Sequence, residues 1–124
     1  MKVTIVKEFR FESAHHLPGH PGKCRQYHGH SYKLQVGVEG EIGDGNDMVM
    51  DFSELKSIVN EQIVEEMDHK LLNDLSHLEN FPCYRPTAEL MVSWMVDRLY
   101  ILLPGLKLVR LWETDTSFAE VILP

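Results

Sequence analysis

The sequence is short of cysteine, short of positive charge and without a long apolar run. Two cysteines in 124 residues, Cys24 and Cys83, cannot build a disulfide scaffold. The fold must therefore rest on a hydrophobic core, for which a hydrophobic content of 44% is ample. Lys and Arg number 12 against 19 Asp and Glu, a net charge of −7. That balance excludes a general nucleic-acid or membrane-surface binder, because both need a positive footprint. An anionic substrate stays compatible with it where cations gather locally. The longest apolar run, Leu99 to Leu103, is far too short to span a bilayer. Met1 to Arg10 alternates charged and apolar residues and has no signal-peptide core. A cytoplasmic protein is expected, and there a cysteine near histidines is more often catalytic or metal-linked than structural. There are no repeats, linkers or low-complexity tracts, so residues 1–124 are expected to form one domain.

Val3 to Ser13 places Val3, Ile5, Phe9, Phe11 and Ser13 at odd positions, the period-two pattern of a half-buried strand. Ser31 to Glu41 repeats the pattern through Tyr32, Leu34, Val36 and Val38. Between them, His16 to Tyr27 is a loop rich in proline, glycine and histidine. Gly43 to Asp47 reads as a turn, followed by a short extended return over Met48 to Met50. Asp51, with Glu54 three residues on, predicts the N-cap of a helix running to about Met67. Asp68 to Asn73 reads as its frayed end or a connecting loop, and His77 to Pro86 as a second loop. Thr87 suits the N-cap of a second helix, with Glu89 in its positive first turn. Pro104-Gly105 ends that helix near Leu103. Leu106 to Thr114 and Phe118 to Leu123 read as two more strands. The order strand, strand, helix, helix, strand, strand predicts an α+β fold, a four-stranded antiparallel sheet with both helices on one face.

The chemistry-bearing residues cluster around the first two strands. His28 and His30 are two apart at the start of a strand, so their imidazoles share a face. His15 ends the preceding strand and lies near them if the two strands pair antiparallel. Three neutral imidazoles with one open position describe a catalytic zinc site, although imidazole also suits other late transition metals. His16 and His20 read as loop residues facing a substrate. Cys24 lies between Lys23 and Arg25, and neighbouring cations favour a thiolate. It suits a general base, a nucleophile or a fourth metal ligand, the last of which would close the site. Asp68-His69 offers an acid–base pair, though the dipeptide alone favours a helix end with His69 satisfying the last carbonyls. Glu113 follows Leu111 and Trp112 near the end of an apolar strand. It is either an exposed strand-end carboxylate or an acceptor of two parallel hydrogen bonds from an amidine-like edge.

Several ordered segments together resemble the 6-pyruvoyl-tetrahydropterin synthase family over nearly the whole chain. They are Phe11-Glu-Ser-Ala-His15, Cys24-Arg-Gln-Tyr-His28-Gly-His30-Ser31, Met50-Asp-Phe-Ser-Glu-Leu-Lys56, Met67-Asp-His-Lys-Leu-Leu-Asn73, Pro86-Thr-Ala-Glu89 and Glu113-Thr114. The three-residue gap between Cys24 and His28 is similar to the branch of 6-carboxy-tetrahydropterin synthases of queuosine biosynthesis. The resemblance implies that His15, His28 and His30 bind Zn2+ and that Cys24 is the catalytic base. It implies that Asp68 and His69 complete the proton-transfer set, and that Glu113 anchors a pterin with Thr87 and Glu89 nearby. The implied reaction converts 7,8-dihydroneopterin triphosphate to 6-carboxy-5,6,7,8-tetrahydropterin, acetaldehyde and triphosphate. The implied architecture is the tunnelling fold, assembled as a homohexamer with active sites between subunits. Three departures stand out: Arg85 where the family usually has Asn before Pro-Thr, a few extra residues around Phe81 to Tyr84, and Trp112 where Lys is common. The first two bear on the surroundings of Thr87, the third on the pterin pocket.

Overall fold

Alternation along the first strand translates directly into burial in the computed structural model, which describes residues 1–124. On β1 (Lys2–His15), Phe9, Phe11, Ser13 and His15 are buried. On β2 (His28–Glu41), Tyr32, Leu34, Val36 and Val38 are buried. The two strands pair antiparallel from Lys2↔Glu41 to His15↔His28. This register puts the odd residues of β1 and the even residues of β2 on one face, as the period of two requires.

Asp51 caps α1 (Phe52–Val59), its side chain accepting from the Ser53 N–H. The helix then passes through a π-helical turn (Asn60–Val64) into one last turn, α2 (Glu65–Met67). The cause lies in the spacing of the apolar residues. Leu55, Val59, Ile63 and Met67, all fully buried, are four apart each time. On an ideal α-helix that stripe would drift about 40° per step away from the core. The wider π turn takes up the drift and keeps Met67, with Asp68 and His69 after it, against β1.

The segment after α2 corrects the expected topology. Lys70–Leu71 forms a two-residue strand, β3, parallel to β1 at Ser13 and Ala14. The sheet is five-stranded and mixed, in the order β3-β1-β2-β4-β5, and the chain runs ββαβαββ rather than ββααββ. The four long strands are antiparallel, as expected. A 3-10 turn (Leu72–Asp74) follows β3. Thr87 caps α3 (Ala88–Tyr100) by accepting from the Leu90 N–H, and the helix ends three residues before the expected Leu103. Met48 to Met50 forms no strand.

β4 (Leu106–Thr114) pairs with β2, and β5 (Ser117–Ile122) pairs with β4 at the sheet edge. Gly105 sets the entry to β4. A Cβ there would strike the Glu39 carbonyl, while the Gly105 carbonyl accepts from the Glu39 N–H at 2.8 Å. Both major helices cover the same sheet face around a core of 23 buried residues. The opposite face is polar and aromatic, with Arg110 paired to Glu120 and Lys33 over the Trp112 ring. No helix is long and apolar enough to cross a membrane.

Candidate metal centre and adjoining groove

At one end of the sheet the core face carries imidazoles in place of apolar side chains. His15, His28 and His30 bring one ring nitrogen each to within 4.8 Å of the others. Their ring centroids are 4.6, 4.9 and 5.1 Å apart and their planes are steeply inclined to one another. The Nδ1–H of His15 donates to the Pro86 carbonyl at 2.9 Å, and that of His28 to the Gln26 carbonyl at 2.7 Å. A carbonyl can only accept, so both rings carry their proton on Nδ1 and a lone pair on Nε2. The Nε2 atoms of all three histidines are buried and have no hydrogen-bond partner. Buried polar atoms without partners are costly unless something binds them. Two inward lone pairs fixed by outward hydrogen bonds, with the buried Nε2 of His30 beside them, suit a tetrahedral divalent ion with one open position.

Burial favours the neutral form of two of the three imidazoles. Burial, aided by the neighbouring imidazoles and opposed by the Pro86 hydrogen bond, lowers the pKa of His15 to about 4. Burial also lowers that of His30, although the Glu113 carboxylate opposes the shift. Glu113 sits 3.6 Å from His30 Nε2. Fully buried Tyr32 packs beneath the trio, its phenol held neutral first by burial and then by Glu113.

Cys24 is not part of the three-imidazole group. It is a free, half-buried thiol on a 3-10 turn (Lys23–Arg25). Its carbonyl accepts from the Leu17 N–H at 2.7 Å, which ties the turn to the end of β1. His16 stacks on Tyr27 with ring centroids 4.3 Å apart, and His20 Nδ1 accepts from the Gly22 N–H. Neither joins the trio.

Asp68 and His69 are built onto β1 through Glu12. Asp68 accepts from the Glu12 N–H at 2.9 Å, and the His69 N–H donates to the Glu12 carbonyl. The first of these bonds is the main reason the Asp68 carboxyl lies below its usual pKa. Asp68 Oδ1 lies 3.0 Å from His69 Nδ1, which aims the other ring nitrogen outward. His69 adopts φ +60, a left-handed conformation costly for a side-chain-bearing residue. A groove of about 540 Å³ runs past it, lined also by Glu12, Gly29, His30, Ser31 and Lys70. A second hollow, of about 460 Å³, holds Glu113 and Glu89 with Ala88, Phe118 and Glu120. Thr87, whose hydroxyl caps α3, does not line it.

The family model described as 6-pyruvoyl tetrahydropterin synthase matches residues 4–122. The chain belongs to that family. A relative from Synechocystis sp. named 6-carboxy-5,6,7,8-tetrahydropterin synthase is 42% identical, covering 97% of this chain and 93% of its own. One of the same name from Haemophilus influenzae is 39% identical, covering 94% and 96%. A relative from Pyrococcus furiosus named dihydroneopterin monophosphate aldolase is 38% identical over 98% of each chain. The 6-pyruvoyl tetrahydropterin synthase structure from Caenorhabditis elegans superposes with a TM-score of 0.85, at 24% identity, over 100% of this chain and 97% of that one. This last likeness concerns the fold.

Within this synthase family the chain's departures have definite places. Trp112 projects to the face away from the helices, donating to Gln35 and packing on Phe118, and does not line the Glu113 hollow. Arg85 is half-buried, with an Nε lacking a partner. Phe81, from the extra residues, packs edge-on against Trp94. Sequence reasoning missed the Pro86 and Gln26 carbonyls and the backbone of Glu12, because main-chain groups carry no residue signature. It quoted Asn73 within a motif without giving it a role.

Proposed function

We propose that this synthase-family protein converts 7,8-dihydroneopterin triphosphate and one water to 6-carboxy-5,6,7,8-tetrahydropterin, acetaldehyde and triphosphate, as a carbon–carbon lyase of queuosine biosynthesis. His15, His28 and His30 hold one Zn2+. The observation that carries this is the set of three buried, partnerless Nε2 atoms facing one point. The names of the Synechocystis and Haemophilus relatives support the choice of reaction.

A bound divalent cation supplies Lewis acidity, polarising side-chain hydroxyls and acidifying the neighbouring carbon–hydrogen bonds. Cys24, as thiolate, takes and returns the proton on one side of the substrate side chain. His69, oriented by Asp68, serves the other side from the groove it shares with His30. Glu113 accepts two parallel hydrogen bonds from the amidine-like edge of the pterin, with Glu89 and Thr87 close by. Lys23, Arg25, His16 and His20 offset the triphosphate charge. Strand β5 and the length of β1 beyond its two residues paired with β3 present unpaired edges, which supports subunits joining edge to edge. The working form is a cytoplasmic homohexamer with active sites between subunits.

A second reading is aldol cleavage, favoured by the name of the Pyrococcus furiosus relative. A third is triphosphate elimination with all carbons kept, as in 6-pyruvoyl-tetrahydropterin synthesis. A non-catalytic zinc- or pterin-binding oligomer is the reading from another class. Mass spectrometry of products from zinc-loaded protein and dihydroneopterin triphosphate separates them. Acetaldehyde with the six-carboxylated pterin is expected. A pyruvoyl product without acetaldehyde, a hydroxymethylpterin with the phosphates on the cleaved fragment, or no turnover would each overturn the proposal in favour of one alternative.

A further inference from the structure

We propose that Asn73 is a positioning residue for the metal centre, holding the Pro86 carbonyl against His15 by clamping the chain on both sides of that contact. Its Oδ1 accepts from the His16 N–H at 2.9 Å, and its Nδ2 donates to the His16 carbonyl at 3.0 Å. These two bonds grip the residue after His15 as a neighbouring strand would. The same Nδ2 donates its second hydrogen to the Tyr84 carbonyl at 3.4 Å. Tyr84 lies two residues before Pro86, in a strap closed by the Thr87 N–H donating to the Arg85 carbonyl. Pro86 has no N–H of its own to anchor the strap.

Asn73 is thus joined to the main chain one residue after His15 and two residues before Pro86, on either side of the His15–Pro86 bond. That bond keeps the proton on Nδ1 and the lone pair on Nε2. A carboxamide is needed because one acceptor and two donor hydrogens must share a single short side chain. Asn73 itself is backed by β3 and the 3-10 turn Leu72–Asp74.

The inference rests on the metal-centre reading for its consequence, but its first readout needs no metal. The imidazole nitrogens of the full-length metal-free protein are compared by NMR in wild type, Asn73→Asp and Asn73→Ala. Wild-type His15 is expected as the Nδ1–H tautomer, and both variants as mixtures. Zinc affinity, measured by competition with a chromophoric chelator, is expected to fall about 10- to 100-fold in both. Asn73→Asp keeps the side-chain shape and decides the matter if Asn73→Ala fails to fold. A folded Asn73→Asp with the wild-type tautomer and wild-type zinc affinity overturns the inference. Wild type that binds no zinc, with the tautomer still lost in Asn73→Asp, supports this inference and overturns the proposed function instead.

Discussion

His15 is fully buried, fixed by a carbonyl on one ring nitrogen and without a hydrogen-bond partner on the other, and flanked by two further imidazoles. His69, bonded through its N–H to Glu12 of the same strand, has a side chain 78% exposed, a single carboxylate for company and a left-handed backbone. His30, from the first group, and His69 face the same groove. Under the proposed function the contrast is between a ligand site and a proton-transfer site. Ligands must present lone pairs in a fixed geometry, so the chain buries them and uses main-chain carbonyls as struts. A proton carrier must reach a substrate, so the chain leaves it in the open and accepts backbone strain to aim it. The three histidines of the trio come from one chain, whereas His69 lies in an open groove.

The comparison breaks most visibly at the trio. His28→Ala is expected to abolish stoichiometric metal binding and to lower turnover by about 10⁴, since Lewis-acid stabilisation is worth several kcal/mol. Metal analysis with steady-state kinetics checks both. Cys24→Ala sharpens the division, because it should retain full metal content while kcat falls about 10³. Loss of the metal in that variant would move Cys24 into the ligand set. His69→Gln should also keep the metal, with a kcat loss of about 10². A smaller effect isolates the strain: His69→Gly should be more stable than His69→Ala by about 1 kcal/mol, because only glycine adopts φ +60 freely. Chemical denaturation measures the difference. The smallest expected effect concerns Asp68. Its folded-state pKa is depressed, so its contribution to stability is present above the ordinary value of 3.8 and is lost as pH falls through the lowered one. Acid unfolding of Asp68→Asn should therefore show a shallower dependence on pH below about 4 than wild type.

Much of this was legible in the sequence, for specific reasons. The alternation Phe9, Phe11, Ser13 and Tyr32, Leu34, Val36 fixed both faces of the first hairpin, and the register then carried His15 opposite His28. Thr87 and Asp51 announced their helices as caps. β3 was not legible, because two residues have no period, and its parallel pairing depends on α2 delivering Lys70 beside β1. The π turn was visible only as a four-residue spacing of apolar side chains. Of the candidate metal centre, the three histidines that come together were readable from their type and spacing. What orients them was not, because the Pro86 and Gln26 carbonyls and the Glu12 main chain act through atoms every residue shares. The dipeptide Asp68-His69 by itself favoured a helix end over an acid–base pair; the Glu12 contacts and φ +60 set it apart from an ordinary helix end.

X-ray absorption at the zinc edge of zinc-loaded, full-length protein addresses the central claim most directly. One zinc per chain with three nitrogen neighbours at about 2.0 Å and one exchangeable oxygen is the predicted result. A sulfur neighbour at about 2.3 Å, or fewer than three imidazoles around the ion, would contradict it.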